Sequence, residues 1–159
     1  MQRKKDAMRV SRSRVRIDAP AETVWAVLTE PRYVQQWQYG SILETDWSVG
    51  SMIRFTAEWN GTTFEQWGTV LLVEPPRELR YSLFAPRPGL DDKPENYFTM
   101  IYSLAPDSGS TQVMITQEDP RPIAAGAAGA AGEEEEEEEE EEENPVLQAL
   151  KSLAESLVD

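Results

Sequence analysis

Polar and apolar residues alternate from Val10 to Ile17, with Arg12, Arg14 and Arg16 on one side and Val15 and Ile17 on the other, which predicts a strand. The period then lengthens. Val24, Trp25, Val27 and Leu28 recur at helical spacing behind Asp18, a turn or cap residue, Pro20, which suits a first helical turn, and Glu22, which suits the positive helix end. Pro31 ends or kinks this helix, and a second short one is expected over Pro31 to Trp37. From Ser41 the period is two. A short strand is expected over Ile42 to Trp47, a turn at Ser48-Val49-Gly50, and a strand over Met52 to Trp59. Asn60-Gly61 marks a type I′ hairpin turn, because both positions of that turn need positive φ. A two-residue turn pairs Trp59 with Thr62, Ala57 with Phe64, Phe55 with Gln66 and Ile53 with Gly68. Phe64, Gln66, Gly68, Val70 and Leu72 then share the apolar face, provided that no bulge intervenes, with Gly68 making room. Trp67 falls on the opposite, polar face without a reason.

Leu79, Tyr81 and Leu83 alternate along the next strand, and residues 85–96 read as a loop. Tyr97 to Leu104 and Thr111 to Glu118 form a last hairpin around Pro106-Asp107-Ser108-Gly109. Residues 124–132 repeat Ala-Ala-Gly and precede eleven Glu, Glu133 to Glu143, with no packing pattern. Asn144-Pro145 opens a final helix, 145–158. Its apolar stripe is Val146, Leu147, Leu150, Leu153, Ala154 and Leu157, with Gln148, Lys151, Ser152 and Glu155 facing away. The fold class is therefore α+β: a curved antiparallel sheet of about six to seven strands, two short helices after strand one, and a C-terminal helix. The expected organisation is a single domain over 9–159, with 123–143 a solvated, dispensable insertion before that helix.

Composition narrows the chemistry. The net charge is −14, but the Glu run supplies eleven of those charges, so the acidity describes one tract and not the folded body. The chain has neither Cys nor His, which excludes thiolate and imidazole catalysis and the commonest zinc sites. No metal or cofactor is expected. No apolar run approaches the ~20 residues of a membrane helix, and the basic N-terminus lacks the apolar stretch of a secretory signal. The expectation is a cytoplasmic protein, a monomer or homodimer, that binds neither membrane nor nucleic acid.

The segments APAETVWAVLTEPRYVQQW, TDWSVGSMIRF, WGTVLLVEPPRELRYSL and YSLAPDSGSTQVMIT resemble, in order and spacing, START-like (SRPBCC, helix-grip) proteins. They look most like the activator of Hsp90 ATPase homologue branch. The landmarks are Ala19-Pro20, Val24-Trp25, Thr29 with Pro31, Trp37, Asp46 with Val49-Gly50, Gly68 with Val70, Pro75-Pro76 with Leu79, Leu104 with Pro106, and Gly109 with Thr111. The resemblance covers about residues 10–118 and the last helix. It implies a helix-grip fold with a hydrophobic cavity between sheet and C-terminal helix, and no single activity. One region departs from the pattern: low-complexity sequence precedes the last helix, and Asn144-Pro145 stands where an aromatic often opens it.

The candidate ligand-binding residues are Trp37, Phe55, Trp59, Phe64, Gln66, Tyr81, Tyr102, Gln117 and Leu150. Each aromatic among them could equally be plain core. The two amides on an apolar face need partners that water or a ligand in a cavity would supply. No catalytic residue is assigned. Glu44, Asp46, Glu58, Glu65 and Glu118 fall on the outer face or in turns, and Tyr81, Tyr97 and Tyr102 could orient a carbonyl without a base to pair with. Three readings stay open: non-catalytic binding of an apolar or aromatic small molecule, a protein-interaction or co-chaperone-like domain, and a cyclase or hydrolase-like enzyme.

Overall fold

The computed structural model describes residues 8–38, 40–121, 137–141 and 145–158. The element order is β1 (Arg9–Ile17), α1 (Ala21–Thr29), α2 (Pro31–Trp37), β2 (Ile42–Glu44), β3 (Met52–Trp59), β4 (Thr62–Glu74), β5 (Glu78–Leu83), β6 (Phe98–Asp107), β7 (Ser110–Asp119), β8 (Glu137–Glu141) and α3 (Pro145–Ser156). The sheet runs β2-β3-β4-β5-β6-β7-β1-β8. Seven strands are antiparallel neighbours, and β8 pairs in parallel with the free edge of β1. This is a helix-grip architecture, with the three helices on one face of the sheet.

The β3–β4 hairpin has the register that its turn dictates. Asn60 and Gly61 take φ of 57° and 80°, and Trp59 pairs with Thr62, Ala57 with Phe64, Phe55 with Gln66 and Ile53 with Gly68. The β6–β7 hairpin closes on a tighter turn than expected, the two residues Ser108 and Gly109 with φ of 53° and 89°, and β6 runs on to Asp107. Pro106 thus becomes a strand residue, paired with Thr111 beyond the last β5 partner, where its missing N–H interrupts no ladder. The register shifts between Val70 and Leu72. This bulge turns Leu72 to the outer face opposite Arg80 and brings Val73 inward opposite Leu79, so Leu72 is not the inner residue that plain alternation gives.

Gly68 marks a crowded point between β4 and β5. A Cβ built there would lie 1.7 Å from the Ser82 carbonyl oxygen. Thr69 N–H donates instead to Ser82 Oγ at 3.2 Å, and regular bonding resumes on either side, at Trp67–Phe84 and Val70–Tyr81. The glycine therefore admits the neighbouring backbone; it does not make room for a ligand. On the outer face Trp67 packs on Phe84, and Phe84 on Tyr97. Trp67 Nε1 and Tyr97 OH both donate to Asp92, so the 85–97 loop covers this indole.

Helix α3 packs on β1, α1 and α2. Leu147, Leu150 and Ala154 are fully buried, Val146 and Leu153 partly, while Leu157 lies past the helix end and is 40% exposed. Two residues of its polar side do more than face solvent. Lys151 Nζ donates to the Arg16 carbonyl at 2.9 Å, and Glu155 accepts from both Lys151 and the Asp18 backbone N–H at 2.8 Å. Asp18 does not cap α1; its carboxylate accepts from Ser110 Oγ, and Pro20 is the capping residue.

The insertion expected at 123–143 falls largely outside the described residues. Its described part, Glu137–Glu141, is strand β8, in register with Val10 to Arg14. The alternation of β1 that sets Arg12 and Arg14 apart from the core places them at the register positions of Glu139 and Glu141.

Two stability predictions follow from packing. Gly68→Ala forces apart β4 and β5 and should cost about 3 kcal/mol in urea unfolding; a neutral result would show that the Ser82 carbonyl can move aside. Leu150→Ala should cost ~2–5 kcal/mol, while Leu157→Ala stays within about 0.5 kcal/mol of wild type. Equal effects at the two positions would contradict the docking of α3 described above.

Candidate functional site

The concave face of the sheet is a grid of side chains fixed by strand register. One row runs Ser11, Gln117, Met100, Tyr81 across β1, β7, β6 and β5. The next runs Ser13, Ile115, Tyr102, Leu79. Beyond it, towards the β6–β7 turn, Val15, Val113 and Leu104 close the sheet with buried apolar groups. The β3–β4 hairpin adds Phe55 and Gln66, which pair with each other. Trp37 and Gln38, at the end of α2, and Val146, in the first turn of α3, supply the opposite wall. Together these surround a cavity of about 400 Å³, open to solvent on one side.

Trp37, which lines the cavity, and Trp47, which packs on Tyr81, are tied to main-chain carbonyls. Trp37 Nε1 donates to Val27 O at 2.8 Å, and Trp47 Nε1 to Thr29 O at 2.9 Å. Both bonds reach the end of α1, so they anchor α2 and the loop between β2 and β3 against it. Trp47 and Phe55 in turn touch Tyr81, with ring centroids 6.2 and 5.7 Å away.

The polar centre of the cavity is a pair of phenols. Tyr81 OH and Tyr102 OH lie 2.9 Å apart, and both rings are buried. Burial pushes the Tyr81 hydroxyl well above its ordinary pKa of 10.0, reinforced by Tyr102. Burial likewise pushes Tyr102 up to about 12, against the hydrogen bond from Tyr81. Both are therefore neutral at physiological pH. Two hydroxyls carry two protons, and their mutual bond uses one. The second O–H has no acceptor among the described residues. Leaving such a donor unpaired inside a protein costs ~1–3 kcal/mol. The side-chain amides of Gln66 and Gln117, half-buried on the same wall, also make no hydrogen bond among the described residues.

A charged cluster sits at the next row, Arg9 and Asp119 beside Phe98 and Leu83, where the cavity meets the sheet end. Arg121 donates to both Asp119 carboxylate oxygens at 2.8 and 2.7 Å, and its guanidinium lies 4.3 Å from the Phe98 ring centroid. Arg9 lies 3.4 Å from Asp119 and donates to the Arg121 carbonyl at 2.7 Å. Burial acts to raise the Asp119 pKa, but the hydrogen bonds from Arg121 and the charges of Arg121 and Arg9 outweigh it and hold the carboxyl below its ordinary 3.8.

Residues 18–157 match the family described as activator of Hsp90 ATPase homolog 1-like protein. The chain belongs to this family. A Cytophaga hutchinsonii protein solved in solution is 33% identical, with 69% of this chain and 75% of that one covered and a TM-score of 0.60. A Mesorhizobium loti protein solved by crystallography is 22% identical over 95% of this chain and 100% of that one, at a TM-score of 0.68. An HSP90 activator from Plasmodium falciparum shares the fold at 15% identity, a TM-score of 0.57, and coverage of 73% of this chain and 76% of that one. No curated protein matches the sequence.

Of the nine ligand-binding candidates, six border the cavity in this family member: Trp37, Phe55, Gln66, Tyr81, Tyr102 and Gln117. Three do not. Trp59 and Phe64 have the right parity but sit at the hairpin tip, 70% and 53% exposed, because β3 and β4 run past the end of the concave face. Leu150 is consumed by the core beneath α3. Sequence reasoning omitted Ser11, Ser13, Leu83, Met100 and Ile115. Their signal was present, since each shares parity with an inward residue of its own strand. Phe98 likewise shares parity with Met100 and Tyr102, whereas Gln38 and Val146 depend on how the helices approach, which parity does not give. None of the five carboxylates weighed for acid–base work borders the cavity; Glu44, Asp46, Glu58 and Glu65 are exposed. Among the described residues no acidic cluster could hold a metal, and no helix is long and apolar enough to cross a membrane.

The lowered Asp119 pKa fixes the sign of an acid effect. A group with a depressed folded pKa stabilises above its unfolded value of ~3.9 and loses that contribution as pH falls through the folded value. Asp119→Asn should cost ~1–3 kcal/mol at pH 7. The gap between variant and wild type, followed by denaturant unfolding, should shrink as the pH drops below about 4. A gap constant from pH 7 to pH 2 would mean that Asp119 titrates alike in both states.

Proposed function

We propose that this family member binds an apolar or aromatic small molecule, without transforming it, in the cavity between sheet and helices. The observation that carries the proposal is the cavity itself: about 400 Å³ that the surrounding aromatic and aliphatic side chains leave unfilled. This lies within the ~300–1,000 Å³ of ordinary small-molecule sites, which are mostly apolar with a few convergent polar groups. Here those groups are two phenols and two amides. No side chain with a base positioned against the phenols borders the cavity, so the geometry favours holding over reaction. Burying apolar ligand surface contributes roughly 25 cal/mol per Å² before the cost of association, which is enough for micromolar affinity.

A second reading has its own support. The exposed Trp59 and Phe64 form an apolar tip on the β3–β4 hairpin, and the family takes its name from an activator of Hsp90. A domain that works by docking on a protein partner would use such aromatics as anchors.

The test is titration with N-phenyl-1-naphthylamine, whose fluorescence rises in apolar sites. Wild type should bind it with Kd in the ~micromolar range. Phe55→Trp, which narrows the cavity, should weaken binding by about tenfold or more, and Trp59→Ser should leave it unchanged. If wild type does not bind the probe, the small-molecule reading is wrong and the docking reading leads.

A further inference from the structure

The β4–β5 ladder stops short of the hairpin tip, at Trp67 and Phe84, which exchange both of their main-chain bonds. The same antiparallel register would next set residue 86 against Glu65 and residue 88 against Thr63. Both are prolines, with no N–H to give, and the chain leaves the sheet there. Thr63 and Glu65 alternate with Trp67, so their N–H and C=O groups point the same way as its own, and no described strand takes them. The end of β4 is therefore an open edge. A groove of about 460 Å³ runs beside it, bounded by Glu65, Ala85 and Pro86. Trp59 and Phe64, 70% and 53% exposed, stand on one face of this hairpin end.

We propose that this edge pairs with the same edge of a second copy of the chain, β4 antiparallel to β4, about a two-fold axis at Phe64. The inference holds whatever the cavity binds. The edge complements itself in one register. With the axis at Phe64, Thr63 of each copy lies opposite Glu65 of the other, each such pair exchanges two main-chain bonds, and every free group is used. Charge favours this arrangement, because each carboxylate meets a hydroxyl. An axis at Glu65 would set two carboxylates face to face and call on Trp67, already spent on Phe84. An axis at Thr63 would reach into the Asn60-Gly61 turn, whose residues are not extended. In the Phe64 register the two phenylalanines meet at a non-hydrogen-bonded pair, where aromatic side chains support each other best, and Trp59 lies diagonal to Phe64 on the same face. The outermost strands of the sheet are poorer templates: β2 is three residues long and β8 carries only glutamates. Four partly exposed rings and a short ladder bury less than ~1,200 Å², so the dimer is a weak one.

Sedimentation velocity over a concentration series tests this. Wild type should pass from monomer towards dimer between ~10 μM and ~1 mM. Phe64→Lys sets two cations together at the axis and should stay monomeric. Its melting temperature should match that of wild type, because the site is exposed in the monomer. Thr63→Arg sets a guanidinium opposite Glu65 at both ends of the ladder and should tighten the dimer about threefold or more. The chain has no cysteine, so a single one reports the axis directly. Cα atoms ~4.5 Å apart at a non-hydrogen-bonded pair lie within the range that a disulfide spans. In a glutathione redox buffer Phe64→Cys should form a linked dimer about tenfold more readily than Val49→Cys, which is comparably exposed and lies outside β4. Wild type that stays monomeric at ~1 mM would overturn self-pairing and leave the edge to an extended segment of another protein. Phe64→Lys dimerising as wild type does, Thr63→Arg failing to tighten the dimer, or Phe64→Cys with no advantage over Val49→Cys would each overturn the proposed pairing as well.

Discussion

The Ser82 carbonyl oxygen occupies the space where any side chain at position 68 would begin, and the concave face depends on that contact. Two strands of a regular ladder keep their Cβ atoms out of each other's way. Here the β4–β5 ladder gives up one main-chain bond, takes the Ser82 hydroxyl as substitute, and lets the backbones press together at the one residue without a side chain. The β2–β3–β4 portion of the sheet joins the β5–β6–β7–β1 portion at this point, and the bulge at Leu71 follows within three residues. A glycine and a bulge are the usual means by which a sheet acquires curvature. Phe55 and Gln66 consequently belong to the same cavity as Tyr81 and Tyr102 instead of continuing a flat surface.

A concave face would ordinarily fill with its own side chains. The large residues best placed to do so are held back. Trp37 and Trp47 spend their only side-chain donors on carbonyls at the end of α1, and each would lose that hydrogen bond by swinging inward. Helix α3 cannot settle deeper, since Leu147, Leu150 and Ala154 already meet the core and Lys151 and Glu155 fasten it to β1 and the turn after it. The cavity is thus bounded by groups whose positions are fixed by bonds pointing away from it. Preorganisation of this kind reduces what a ligand must spend on ordering its site.

Much of this architecture could be read in the sequence. Asn60-Gly61 alone set four cross-strand pairs correctly, because a type I′ turn leaves no freedom in register. Pro31 and Trp37 bounded α2 to the residue. Strand alternation put Phe55, Gln66, Tyr81, Tyr102 and Gln117 on the face that borders the cavity. Periodicity, however, reports the face of a residue and not its depth along the strand. Trp59 and Phe64 were assigned the correct face and lie beyond the cavity's end. Leu72 was assigned the wrong one, since a bulge has no signature in alternation. Trp67 had no reason on the outer face until the 85–97 loop brought Asp92 and Tyr97 to it, a contact between segments that no local pattern encodes. The phenol pair required β5 and β6 in register, across the 85–97 loop, before either hydroxyl had a neighbour.

Strand β8 is built from one residue type, and this makes it unlike every other strand in the sheet. Register elsewhere is enforced by a distinct side chain at each step. Along Glu137–Glu141 every step beside Val10 through Arg14 is the same residue, so the sequence of β8 does not distinguish one position of the ladder from the next. The edge of β1 is therefore matched through the main chain and not by a code of side chains. As the last strand in the sheet order, β8 ends the sheet with a sequence of like charges, a poor template for another strand.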